Sequence, residues 1–208
     1  MGNTSPDFHR LACALAGAST IVRDLPQYDI PDEKSDLLLR SYSFLCHAAI
    51  EEYLESLSLF ILKEAFSLYK RDGQLRLPII SAISYYNSSD KLSLHTTPSG
   101  ATLAKAVLES LFEEARSKHY KAVTGNNGIK TKDQDNLLIP TGCRIFEIDH
   151  ILSQTLNSLG EDRGKVAHKY TMSMKLPRHA WEIKISTIQN LIQDFDNIAC
   201  SRINILFH

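Results

Sequence analysis

Apolar residues recur along the chain at intervals of three and four and hardly anywhere alternate. That spacing keeps one face of an α-helix apolar, whereas strict alternation marks a half-buried strand. The longest run is "SDLLLRSYSFLCHAAIEEYLESLSLFILKEAFSLYK". It predicts a helix from about Ser35 to Lys70, buried through Leu37, Phe44, Ala48, Tyr53 (or Leu54), Leu57 and Ile61. Acids at 51, 52 and 55 decorate one side, and Gly73 and Pro78 in "RDGQLRLP" stop it. A second helix is expected from about Thr102 to Val123, ended by "TGNNG".

A third helix is predicted over roughly Cys143 to Leu159, with Ile145, Ile148, Leu152, Leu156 and Leu159 on one stripe. Gly160 then suits the position just past a helix end, and Asp162 suits the cap of a new helix carrying "RGKVAHKY". The last helix should span about Ala180 to Arg202, buried through Trp181, Ile185, Ile188, Ile192, Phe195 and Ile198. "PIISAISYYNSSDKLSLHTTPSG" reads as a short helix or an irregular segment, and "IKTKDQDNLLIPTGC" as a short apolar run closed by Pro140 and Gly142. No stretch reads as a strand, a repeat or a low-complexity linker. The expectation is an all-α bundle of about five to seven helices, one domain over residues 1–208 with its core from about 35 to 202.

Composition narrows the class. The chain of 208 residues is 43% hydrophobic and 23% charged, as expected for one soluble globular core. No run approaches about eighteen apolar residues, so no membrane span is expected. "MGNTSPDFHRLACALAG" lacks a basic leader and does not read as a signal peptide. Cys13, Cys46, Cys143 and Cys200 form no CxxC pair, and the eight histidines are scattered. Free thiols, a cytoplasmic location and no metal or cofactor are therefore expected.

A net charge of -1 gives no global sign of a polyanion partner. Locally, "RSKHYKAVTGNNGIKTK" (116 to 132) carries five Lys or Arg and no acid, and from Arg163 to Lys184 six Lys or Arg face only Glu182. Such segments suit a localised polyanion-binding surface, and equally two solvated faces.

The candidate chemistry lies in "RGKVAH", residues 163 to 168. Cleavage of RNA by its own 2′-OH needs proton removal there and proton delivery to the leaving 5′-oxygen, tasks an imidazole performs near neutrality. A planar guanidinium stabilises the charge that builds on the phosphoryl oxygens, and no metal is required. Five residues of α-helix separate two positions by roughly 140° around the axis and about 7.5 Å along it. Convergence of Arg163 and His168 therefore needs either a distorted first turn beside Gly160 and Gly164 or groups from a second subunit. His47 and Glu51 stand at i, i+4 but lack HExxH spacing and read as an ordinary helix pair. His119 with Tyr120 suits either base stacking or a helix end, His150 either a cleft or plain surface, and "GNNGIKTK" lacks the P-loop pattern.

"RGKVAHKY" resembles the signature of HEPN domains, whose ribonuclease members carry Arg, four to six residues, then His, often with a small residue just before it, as Ala167 stands here. "CHAAIEEYLESL" (46 to 57) resembles an early helix of that family. "NNGIKTKDQDNLLIPTGC" (126 to 143) is similar to an Asn-Gly-Ile connector of its RiboL-PSP-type branch, and "IQNLIQDFDNI" to that branch's closing helix. The resemblance implies an all-α bundle that dimerises around paired Arg/His motifs, acting as a metal-independent ribonuclease in toxin–antitoxin or anti-phage systems. Arg163 and His168 would be the catalytic pair, with Glu51 or Glu52 as a supporting acid. Lys165, Lys169, Arg116, Lys118 and Lys121 would hold RNA. The partners implied are RNA, a second copy and an antitoxin or defence-system protein. Members paired with minimal nucleotidyltransferases carry Arg, four residues, His, one residue, Tyr, and are silenced by AMP on that tyrosine. Tyr170 fits this spacing, but those toxins are shorter and lack the connector, so Tyr170 as a packing residue stays open. A non-catalytic RNA- or nucleotide-binding or scaffolding module is the alternative. Residues 71–100 are expected to lie outside the cleft.

Overall fold

The computed structural model describes residues 4–86, 100–168 and 176–206, with backbone alone for 100–105 and 165–168. Among the described residues there are eight α-helices and no strand; an isolated bridge pairs Arg76 with Leu206. The helices are α1 (Pro6–Ser19), α2 (Glu33–Asp72), α3 (Leu77–Tyr86), α4 (Gly100–Thr124), α5 (Thr131–Leu138), α6 (Ile145–Ile148), α7 (His150–His168) and α8 (Arg178–Arg202).

The 40-residue α2 is the axle. Around it, α1, α8, α7, α5, α4 and α3 follow one another, each touching α2 and the next. Asp32 starts α2 by accepting from Ser35 N–H at 2.7 Å. Gly73 ends it, adopting φ 73°, where a side chain would be strained, while donating N–H to Tyr69 C=O at 2.8 Å. Pro78, expected as part of the stop, instead occupies the first turn of α3, where its missing N–H leaves no bond unmade.

The buried stripe of α2 agrees with expectation from Tyr53 to Ile61 and departs from it before that. Leu39, Tyr42, Cys46 and Ile50 are buried, whereas Leu37 is 56% exposed, Ala48 is exposed and Phe44 only half-buried. Both sets have helical spacing, so periodicity could not choose between them; the packing of α1 and α8 did. In α8 the stripe closes on Ala199, and Ile198 is 42% exposed.

Helix α1, not expected from the sequence, is capped by Ser5, whose Oγ accepts from Phe8 N–H at 3.1 Å. Buried Asp196 of α8 accepts from the Ser5 N–H and Oγ–H, both at 2.6 Å, and from the Tyr53 hydroxyl at 2.9 Å. One carboxylate thus joins the start of the chain, α2 and α8, each bond charge-assisted. The four cysteines are free. Among the described residues no helix is long and apolar enough to cross a membrane.

Residues 143–168 fold differently from the expected pattern. The break falls at Asp149, extended at φ -149°, and Gly160 and Asp162 lie inside an unbroken α7. Asp149 caps α7 by accepting from Ile151 N–H and Leu152 N–H at 2.9 and 3.0 Å. Gly160 is absent of a side chain because the connector crosses there: a Cβ would meet Lys130 Cγ at 3.1 Å and Ile129 Cγ1 at 3.4 Å.

Candidate active site

Helix α7 is tied to α5, to the connector and to α8 by polar groups. Gln134 of α5 donates its side-chain amide to the carbonyls of Ile129 and Ser153, at 2.9 and 3.1 Å, and accepts from the Ser153 hydroxyl at 2.7 Å. Asn157 accepts from Thr131 N–H at 3.3 Å. Further along, Asp162 accepts from Lys184 of α8 at 3.0 Å. These contacts set α7's rotation, and with it the direction from which half-buried Arg163 meets α2.

The Arg163 guanidinium acts electrostatically on His47 and Glu51 of α2, which with Glu55 are spaced by four and so lie on one side of that helix. His47 is 2% exposed, its Nδ1 3.7 Å from Glu51 Oε2. Burial pushes the His47 imidazole down to about 4; the Arg163 guanidinium adds to this, and Asp133 opposes it. His47 is therefore neutral at pH 7. Glu51's carboxyl is raised by burial and by Glu55, against the lowering pull of Arg163. Glu51 Oε1 is buried with no hydrogen-bond partner among the described residues, an uncompensated acceptor in a protein interior.

The other wall comes from the connector. Asn126 donates its side-chain amide to Glu55 Oε1 at 2.8 Å and to Gly128 C=O at 3.1 Å. Asp133 accepts from Lys130 N–H at 3.0 Å. Arg163, His47, Glu51, Glu55, Asn126 and Asp133 thus form one charged cluster where α2, α7 and the connector meet. It can hold a guanidinium in place and can accept protons. Among the described residues, no three or more His, Cys, Asp or Glu side chains gather as a metal site.

The expected residues fare unequally. Of the two candidate acids, Glu51 is the one beside Arg163. Glu52, about 100° further round α2, lines a groove with Asp7, Arg10 and Tyr53 on the α1 side and is excluded from the cluster. The helical backbone runs unbroken from Arg163 to His168, so a distorted first turn beside Gly160 does not bring them together. The side chains of His168 and Lys165 lie outside the described residues, as do Lys169 and Tyr170 altogether. Arg116 and Lys118 are paired with Glu113 and Glu114, both at 2.8 Å, so the run that is acid-free in sequence has acids one turn before it. Lys121 is exposed beside Asn126.

His119 stacks no ligand. It is fully buried between the Tyr86 hydroxyl and Ser58 Oγ, each 3.0 Å away, and burial lowers its imidazole to about 4. His150 is exposed surface. Tyr85 and Tyr86, within the stretch expected to be remote, line a groove with Asn126 and Asp133 and so approach the cluster. Sequence reading set His47 aside as an ordinary helix histidine, took Glu55 as helix decoration, and did not single out Asn126 or Asp133. The i, i+4, i+8 spacing of His47, Glu51 and Glu55 was a visible signal, though one that many helix surfaces share.

Compared with known protein families, residues 18–201 match the family model described as RiboL-PSP-HEPN. No curated protein matches the chain, and no solved structure does.

Proposed function

The chain belongs to the RiboL-PSP-HEPN family, and from that premise we propose that it is a metal-independent endoribonuclease. It acts as a toxin or anti-phage effector, cutting RNA with Arg163 and His168 at a homodimer interface. The observation that carries this reading is that the Arg163 guanidinium of α7 acts electrostatically on both half-buried Glu51 and buried His47 of α2. A guanidinium kept there is aimed by protein charge rather than free in solvent, as stabilisation of a phosphoryl transition state requires.

In the reaction, an imidazole takes the proton of the 2′-OH as the 2′-oxygen attacks phosphorus. The P–O5′ bond breaks, and the 5′-oxygen receives a proton. The products are a 2′,3′-cyclic phosphate and a 5′-hydroxyl. Arg163 neutralises charge on the non-bridging oxygens, and Glu51 is a positioning residue for it. His168 supplies the imidazole.

Positions 163 and 168 stand roughly 140° apart on a continuous helix, which favours a site completed by a second copy. The α2 stripe of Leu37, Phe44 and Ala48 supports the same arrangement. It is apolar, incompletely covered, and on one line with Glu51 and Glu55. Docked there, a second copy would bring its own motif toward the cluster. An antitoxin is the expected further partner, and a nucleotidyltransferase acting on Tyr170 is one form it takes.

The test is cleavage in EDTA. Purified protein should shorten RNA and leave 2′,3′-cyclic ends, and His168→Ala should slow this by about 10²–10⁴-fold. Equal cutting by wild type and variant, or none by either, overturns the assignment. The second reading, a module that binds RNA or a nucleotide without cutting it, draws on the polar groove beside Asn126 and Asp133. It predicts salt-dependent RNA binding with RNA length unchanged.

A further inference from the structure

We propose that the groove between α3, α4 and α5 is a nucleotide subsite, holding an unpaired RNA nucleotide next to the one whose phosphate reaches Arg163. This rests on the reading of the Arg163 cluster as the place where RNA is handled. The groove has a volume of ≈ 440 Å³, within the range of sites that take a small organic ligand.

Its lining matches the three parts of a nucleotide. Tyr85, 39% exposed, offers an aromatic ring, and its edge-to-face contact with Tyr86 at 4.9 Å limits how it can turn. Tyr86 is itself tied to buried His119 at 3.0 Å, so this platform is anchored in the core. Asn127 and Asn136, both exposed, carry amides with the donors and acceptors that base edges present. Lys121 and Lys132 supply two cations for a phosphate, against the single carboxylate of Asp133.

The subsite is continuous with the cluster rather than separate from it. Asp133 lines the groove and acts electrostatically on both His47 and Glu51. Asn126 lines it too, and its amide holds Glu55. A strand with its phosphate at Arg163 would run along this shared wall of Asn126 and Asp133 toward Tyr85. The groove between α2 and α4 is a poorer rival: Leu59 and Leu62 line it, and its Arg116 is engaged by Glu113.

Stacking on a side chain needs a base free of its partner, so the ligand is single-stranded. The probe is a fluorescein-labelled 2′-O-methyl RNA strand of about ten nucleotides, a length that allows several bases to engage. It cannot be cut by 2′-OH attack, and it is measured by anisotropy alone and as a duplex. Wild-type protein should prefer the single strand. Tyr85→Ala should weaken that binding by roughly 5- to 100-fold, the loss of one stacked base, and Tyr85→Phe should restore it. Asn127→Glu, a change on an exposed turn that leaves packing intact, should weaken it by about tenfold or more. Unchanged affinity in both Tyr85→Ala and Asn127→Glu, or duplex bound as tightly as single strand, overturns the subsite. If these variants lose binding while wild type cuts no RNA, the subsite stands and the ribonuclease reading falls. If wild type cuts and the variants bind as before, the reverse holds. Neither binding nor cutting by wild type removes both.

Discussion

His47 and His119 are both held neutral inside the protein, and a neutral buried histidine links folding to pH in one direction. Each has its folded-state value near 4, against a reference of 6.5, because burial disfavours the imidazolium. Between those values the unfolded chain binds more protons, so stability is complete above about pH 6.5 and is lost as pH falls toward 4. A wholly buried group with such a shift contributes on the order of 3 kcal/mol across that window. Urea unfolding at pH 7 and pH 5 measures it. Wild type should lose stability between the two, and His119→Gln, weaker at pH 7, should lose less. Equal losses would mean that His119 is not the neutral core group its burial between Tyr86 and Ser58 indicates.

At the scale of elements, α7 matters most, because it carries the motif and its rotation aims Arg163. Gly160 lets the Ile129–Lys130 connector cross that helix closely. Valine there would have to displace the connector, and overpacking of this kind costs about 1–3 kcal/mol. Gly160→Val should therefore lower Tm by several degrees, with the loss of cleavage exceeding what the lost stability explains, since the same shift turns the helix that carries Arg163. Alanine is milder, because its helix preference over glycine, about 1 kcal/mol, offsets a tight contact. A Gly160→Val protein as stable and as active as wild type would show that connector and helix are not rigidly coupled.

For the whole molecule, the axle arrangement leaves the early turns of α2 with an apolar face that no described element covers. Leu37 and Leu45 are 56% and 46% exposed. An acid at an exposed helix position alters monomer stability by less than about 0.5 kcal/mol, whereas an acid buried between two copies costs several. Leu37→Glu with Leu45→Glu should accordingly convert a dimer to a monomer in analytical ultracentrifugation, with cleavage lost and the circular dichroism spectrum unchanged. A variant that remains dimeric and active would place the second copy elsewhere.

The chain's own periodicity determined the helical class and the extents of α2, α4 and α8, and the likeness of short motifs pointed to the family, because a 3.6-residue repeat and a short motif are local properties. Local information did not suffice for the register of the first half of α2, where Leu37–Phe44–Ala48 and Leu39–Tyr42–Cys46 are both helically spaced and only the neighbours of the helix distinguish them. Nor did it suffice for Gly160, whose residue type signals a helix end in sequence but answers to a crossing chain in space. The choice of Glu51 over Glu52 had the same origin, a rotation of about 100° that neighbouring helices alone can give meaning.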